Sequence, residues 1–266
     1  MDSILYIAEL NLPSTSAYTQ HVLKICDAFA DKKKINLLVF SNKVPFKQLK
    51  KNYILKNNFN IEKLFTSKQN TFFSRLKLAF YTKKISLKYN LIITRSPITS
   101  LVLSCFKVNN ILEVHHPLYG FTKIIYQVLN LFNLNKHTKF ILLHKNLKNI
   151  FINKNKKIVL YDSVDVDDFK FKRKILKKYE FTYTGSLYTG KGIEIISYLA
   201  KEFPKKKFHI FGNIKTLTTK YKNIIQKQKN IILEGHVHYK KLPLILMQSK
   251  YLLMPYLNRV RVNSKK

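Results

Sequence analysis

The sequence has no tryptophan, 2 cysteines, 6 glycines and 14 acidic residues in a length of 266. Each shortage excludes something. Cys26 and Cys105 both fall within apolar helical patterns, where a thiol behaves as a small hydrophobe. They make no disulfide framework, and a reducing compartment is expected. No uninterrupted apolar run reaches the length of a membrane span. The opening residues Met1, Asp2, Ser3, Ile4 and Leu5 lack the basic segment that begins a signal peptide. A cytoplasmic protein is expected, with peripheral contact on the inner face of the cell membrane left open.

Arginine is also scarce, limited to Arg75, Arg95, Arg173, Arg259 and Arg261, although lysine and arginine together number 49 and the formal charge is +35. Such a field suits nucleic acid, anionic lipid or a polyanionic substrate. Base readout and bidentate phosphate clamps use the planar guanidinium fork, which is nearly missing. The lysines are scattered among Asn, Ile, Phe and Tyr, residue types that share A/T-rich codons. Nucleic acid is therefore disfavoured as a partner. A basic nucleic-acid-binding or non-catalytic partner protein on a Rossmann-like fold is the alternative reading. Attraction to an anionic membrane follows from the charge whatever its origin.

What is present is a regular alternation of short apolar runs with amphipathic stretches. Strands are expected at residues 4–8, 35–40, 91–94, 111–114, 140–143 and 158–161. A polar turn runs from Asn11 to Ser16, and helices follow near residues 22–30, 72–89 and 97–106. After a charged connector at 170–178 the pattern restarts. Strands at 181–184, 208–211, 231–233 and 251–254 alternate with helices at 193–203, 221–228 and 242–247. Repeated strand–helix–strand units imply parallel sheets covered on both faces. Two α/β domains are expected, residues 1–169 and 170–266, with ligands at the carboxyl ends of the strands.

The sharpest motif is Thr184, Gly185, Ser186, Leu187, Tyr188, Thr189, Gly190, Lys191, Gly192, directly after a strand and opening a helix. Glycines let backbone N–H groups approach an anion, the helix N-terminus adds positive potential, and Lys191 adds a full charge. The plain alternative is an ordinary strand–helix turn with a solvated lysine. The spacing is not that of a Walker loop.

This segment resembles the donor domain of family-4 glycosyltransferases of the GT-B class, where a strand ends in G-[RS]-L-x-x-x-K-G. Pro204 with Phe208, His209, Ile210, Phe211 and Gly212 is similar to that family's second strand, and the run from Asn230 to Val237 to its third. Leu253, Met254, Pro255 and Tyr256 resemble its "L-x-P-Y" strand. The run from Lys157 to Phe169 resembles the interdomain "D-G-V-D" segment, with Ser163 in place of glycine. Ser16 to Val22 resembles the first loop and helix of the acceptor domain, and Glu113, Val114, His115, His116, Pro117 an "E-x-H-D-P" element.

The resemblance implies two Rossmann-like domains facing across a cleft, and a retaining, metal-independent transfer of a sugar from a UDP- or GDP-linked donor. The acceptor would be a glycan or a lipid-linked acceptor in cell-envelope or surface polysaccharide synthesis. Gly185, Ser186, Lys191, Gly192 and His236 would bind the donor, His115 would face the reacting sugar, and Thr15, Ser16 and Ala17 would line the acceptor side. No cofactor and no metal are expected, since His236 and His238 lack a cysteine or carboxylate at ligand spacing. His116 leaves open which imidazole faces the cleft. The family continues past Tyr256 to an acidic element that Asn258 to Lys266 does not supply. A C-terminally truncated chain is therefore expected, with low or absent activity alone and room for a complementing C-terminal fragment. An apolar stripe along residues 118–134 suits either a membrane or the core.

Overall fold

A computed structural model of the chain describes residues 3–118, 120, 123, 124, 126, 127, 136–150 and 156–257. Most of the stripe at 118–134 and the tail 258–266 lie outside these residues. The chain divides into two compact units, Met1–Ser163 and Val164–Lys266.

In the first unit, strands β1 (Ser3–Leu12), β2 (Lys34–Asn42), β3 (Asn60–Lys63), β4 (Leu91–Thr94), β5 (Asn110–Val114), β6 (Thr138–Leu142) and β7 (Lys157–Val159) form one sheet. Its order is β3-β2-β1-β4-β5-β6-β7 and every pairing is parallel. Helices α1 (Ala17–Ala30), α2 (Phe46–Tyr53), α3 (Phe72–Ile85) and α4 (Pro97–Cys105) connect the strands. The side-chain period of 2 explains why β1 is nearly continuous apolar sequence. Ile4, Tyr6, Ala8 and Leu10 enter a core with Val22, Leu23 and Cys26 of α1. Leu5 and Ile7, on the other face, pack with Leu78 of α3 and Leu103 of α4.

Two expectations change here. The first strand continues through Asn11 and Leu12, because the Asn11 Oδ1 accepts from Ser41 Oγ (2.8 Å) and Gln69 N–H (3.0 Å). The turn is therefore only residues 13–16. α2 and β3 lie where no element was expected. Only Leu49 and Tyr53 of α2 are buried, and β3 is a short edge strand, so neither carries a strong periodic signal.

In the second unit, β8 (Tyr179–Thr184), β9 (Phe208–Phe211), β10 (Ile231–Gly235) and β11 (Ser249–Leu252) form a parallel sheet in the order β10-β9-β8-β11. α5 (Ile193–Glu202), α6 (Thr219–Gln226) and α7 (Leu242–Gln248) connect them. Tyr183, Ile193, Ile196, Phe208, Ile210, Tyr221 and Ile225 make the core. The unit starts at Val164, earlier than the expected position 170. The reason is visible at Asp168, whose carboxylate accepts from Tyr239 OH at 3.0 Å and so ties the 166–169 turn to this unit. Among the described residues β11 is an edge strand, and Tyr251, Leu252 and Met254 beside it are exposed.

Candidate functional site

Both sheets are doubly wound, and each reverses strand order at one point, between β1 and β4 in the first unit and between β8 and β11 in the second. Outward-running connections on either side leave a crevice at the carboxyl ends there. The chemically active side chains of each unit gather at that end.

In the first unit, Glu113 lies in β5, and Arg95 and His115 directly follow β4 and β5. Asp162 follows β7, and α1 carries His21 in its second turn. Ser16 fixes where α1 begins, since its Oγ accepts from Thr19 N–H at 3.2 Å. Glu113 is the centre. Its Oε2 accepts from Tyr6 OH at 2.6 Å, its Oε1 meets His21 Nε2 at 3.0 Å and His115 Nε2 in a short hydrogen bond, and Arg95 Nε lies 3.8 Å away. The other ring nitrogen of His21, Nδ1, is 3.1 Å from Asp162 Oδ1. The two imidazoles meet edge to face, with centroids 4.8 Å apart.

Burial alone pushes the Glu113 carboxyl up, but the hydrogen bonds from His115, His21 and Tyr6, helped by Arg95, overcome it and hold the group well below the usual carboxylate range. Burial lowers His115, which Glu113 only partly offsets. Tyr6 is raised, first by burial and then by Glu113. The result is a buried anion with ordered donors around it and an imidazole held near neutrality. A second arm continues the network. The Arg95 guanidinium stacks 4.2 Å from the Tyr18 ring, and Glu9 in β1 accepts from Ser96 Oγ (2.6 Å) and pairs with Arg75 (3.0 Å).

His21, His115 and Asp162 bring possible ligand atoms within 4.8 Å of one another. The set fits a metal poorly, because both nitrogens of His21 and Nε2 of His115 already face carboxylate oxygens. The cluster is satisfied as a hydrogen-bonded relay. Of the expected residues, His115 belongs to it, whereas His116 is exposed. Thr15, Ser16 and Ala17 are exposed on the approach to α1.

In the second unit the 185–192 loop joins β8 to α5. Gly192 is the N-cap of α5 at φ 77°, a left-handed conformation that favours glycine. It is also a point of close approach, for a Cβ there would lie 1.8 Å from the Pro255 carbonyl oxygen. Gly185 N–H donates to Phe211 O (2.9 Å) and Leu257 N–H to Gly190 O (3.0 Å), so the loop is sewn to the ends of its neighbours. The Lys191 ammonium sits 4.3 Å from the Tyr256 ring and 5.4 Å from the Tyr188 ring. Ser186 is exposed, its carbonyl accepting from Tyr183 OH at 2.8 Å. Gly185, Ser186, Lys191 and Gly192 are thus one contiguous feature, flanking the point where strand order reverses. His236 follows β10, two strands away from β8, and is exposed.

No protein-family model matches the chain, and no curated protein matches it in sequence. Solved structures do match. Anabaena Alr3699/HepE in complex with UDP and glucose is 15% identical, with a TM-score of 0.69 over 95% of this chain and 73% of that one. A glycosyltransferase from Rickettsia africae is 14% identical, with a TM-score of 0.68 over 96% and 73%. The fold is that of the GT-B glycosyltransferases. A UDP-GlcNAc 2-epimerase from Neisseria meningitidis bound to UDP-GlcNAc also matches, at 12% identity and a TM-score of 0.57 over 95% and 76%. A GT-B fold therefore carries more than one reaction, and the chemistry has to be argued from the site.

Within this GT-B chain, the sequence alone does not mark Glu113 as a hub and gives no functional role to His21, Asp162, Tyr6 or Arg95. The one available signal was position. Glu113 interrupts an apolar strand, and Arg95 and His115 stand directly after strands.

Proposed function

We propose that the chain is a glycosyltransferase that moves a sugar from a nucleoside-diphosphate sugar to a glycan or lipid-linked acceptor in surface polysaccharide synthesis. The observation that carries this reading is the 185–192 loop. It sets glycine backbone and the Lys191 ammonium at the mouth of a helix, where the second sheet reverses strand order. Backbone N–H groups and one cation suit a pyrophosphate, and they would stabilise the departing nucleoside diphosphate, where negative charge grows. The chain's own cations would perform this task without a metal. The HepE complex with UDP makes the uridine nucleotide the first to try. His115, oriented by Glu113, would meet the reacting sugar. Retention of anomeric configuration is the stereochemistry expected, with the donor phosphate helping to deprotonate the acceptor.

The lysine excess supports a place against an anionic membrane. Phe72, Phe73 and Phe80 of α3 are exposed on a helix that also carries Lys77, Lys83 and Lys84, a combination suited to the interface.

Isothermal titration of the full chain with UDP, GDP and a single-stranded RNA tests the proposal. Binding of a nucleoside diphosphate, weakened at least about tenfold in Lys191→Ala, is the expected result. Product analysis with a UDP-sugar then separates transfer or hydrolysis from 2-epimerisation. RNA binding without nucleotide binding would overturn the reading.

A further inference from the structure

We propose that Glu113 is the positioning residue of the first unit's site, and that by holding Nε2 of His115 it leaves Nδ1 as the atom offered to substrate. This rests on the reading that His115 meets substrate. The argument begins with donor counting. An ionised carboxylate only accepts hydrogen bonds, and Glu113 is buried, with its side chain 5% exposed. Each ring nitrogen turned toward it must therefore carry a proton. His115 faces it through Nε2, so the neutral ring is the Nε2–H tautomer, with its lone pair on Nδ1. In that form the ring accepts a hydrogen bond or a proton from a substrate hydroxyl and does not donate one.

The surroundings allow little else. Tyr6 OH occupies Oε2 at 2.6 Å, so the carboxylate cannot turn to release His115 without stranding a buried phenol. The His21 ring lies edge to face against His115 at an interplanar angle of 87°, which restrains rotation of either ring. His21 itself has a carboxylate at each nitrogen, Glu113 at Nε2 and Asp162 at Nδ1. Both of its ring nitrogens are engaged by carboxylate oxygens, so neither is left for substrate. His115 is thus the imidazole of the pair with a nitrogen available, and Glu113 selects which one.

The test is nuclear magnetic resonance of the full chain labelled with 15N-histidine, using two-bond 1H–15N correlations at pH 8. The His115 signals are assigned by their loss in His115→Gln. The wild-type ring is expected as the Nε2–H tautomer. In Glu113→Gln, whose amide both donates and accepts, and in Glu113→Ala, the two tautomers are expected to mix. A wild-type Nδ1–H ring, or a tautomer unchanged in both variants, overturns the proposal. The wild-type spectrum decides even where a variant fails to fold. A parallel measurement of UDP-sugar turnover is expected to show kcat in Glu113→Gln falling at least about tenfold, with the Kd for UDP unchanged. Wild-type signals for His137 and His144, elsewhere in the first unit, would show that the variant is folded and separate this loss from a structural defect. Absence of UDP binding would sink the transferase reading while leaving the tautomer result to decide the role of Glu113.

Discussion

Gly192 is the position where a single methyl group should do most damage. Alanine there meets two separate costs. Its φ of 77° is left-handed, a conformation that costs an L-residue about 1–2 kcal/mol. The added Cβ would also stand 1.8 Å from the Pro255 carbonyl oxygen, against the 3.4 Å at which ordinary contact begins. The obstacle is backbone and cannot swing aside, so the segment after β11 has to move. Overpacking of this kind costs about 1–3 kcal/mol. The movement would draw Tyr256 from its 4.3 Å contact with the Lys191 ammonium and strain the Leu257–Gly190 hydrogen bond. Gly235 supplies the control. Its φ is 83°, but a Cβ there finds only Ile214 Cδ1 at 3.9 Å, so alanine meets the conformational cost alone. Urea unfolding should therefore show a loss of about 2–5 kcal/mol for Gly192→Ala and about 1–2 kcal/mol for Gly235→Ala. Isothermal titration should show UDP binding weakened in Gly192→Ala. Equal losses of stability in the two variants, or wild-type UDP affinity in Gly192→Ala, would refute the reasoning.

Three further predictions concern the first unit. The folded-state pKa of Glu113 is lowered, so its contribution to stability is present above the unfolded carboxylate value of about 4.3 and lost as pH falls through the folded value. Urea midpoints of wild type and Glu113→Gln should therefore converge below about pH 4, and a gap that widens in acid would contradict the assignment. Leu5 is fully buried between β1 and the α3–α4 face, and Leu5→Ala should cost about 2–5 kcal/mol in the same assay. Cosedimentation with vesicles containing phosphatidylserine should fall with added salt and fall again in Phe72→Ser/Phe73→Ser. Equal binding to neutral vesicles would argue against an electrostatic contact.

The candidate sites of the two units differ in how far they can be read from sequence. The 185–192 loop is built from consecutive residues, so a strand, a glycine turn, a lysine and a helix start could all be seen in one line of text. Strands 91–94 and 208–211 have the bounds that the sequence predicts, because apolar runs between turn residues leave little freedom. α2 and β3 escaped because each buries so little that its pattern is mostly polar. The unit boundary moved because a phenol–carboxylate bond between Tyr239 and Asp168 leaves no trace in composition.

The cluster around Glu113 could not be read in the same way, and its invisibility has a physical cause. Tyr6 and His21 lie 107 and 92 residues away from it in sequence. Their meeting depends on strand order, which puts β4 and then β5 on one side of β1 while β2 and β3 run off the other way. Once that order is known, the inference becomes local again. In a parallel sheet with helices on both faces, carboxyl-end residues of the strands nearest the reversal point are free of core-packing duty and open to ligand. Glu9, Arg95, Ser96, Glu113 and His115 all occupy such places. A charged residue there is costly unless paired, and three hydrogen bonds together with the Arg95 cation converge on Glu113. A site that keeps a buried carboxylate ionised by surrounding it with imidazole, phenol and guanidinium is organised for holding and orienting protons, which apolar packing alone would never require.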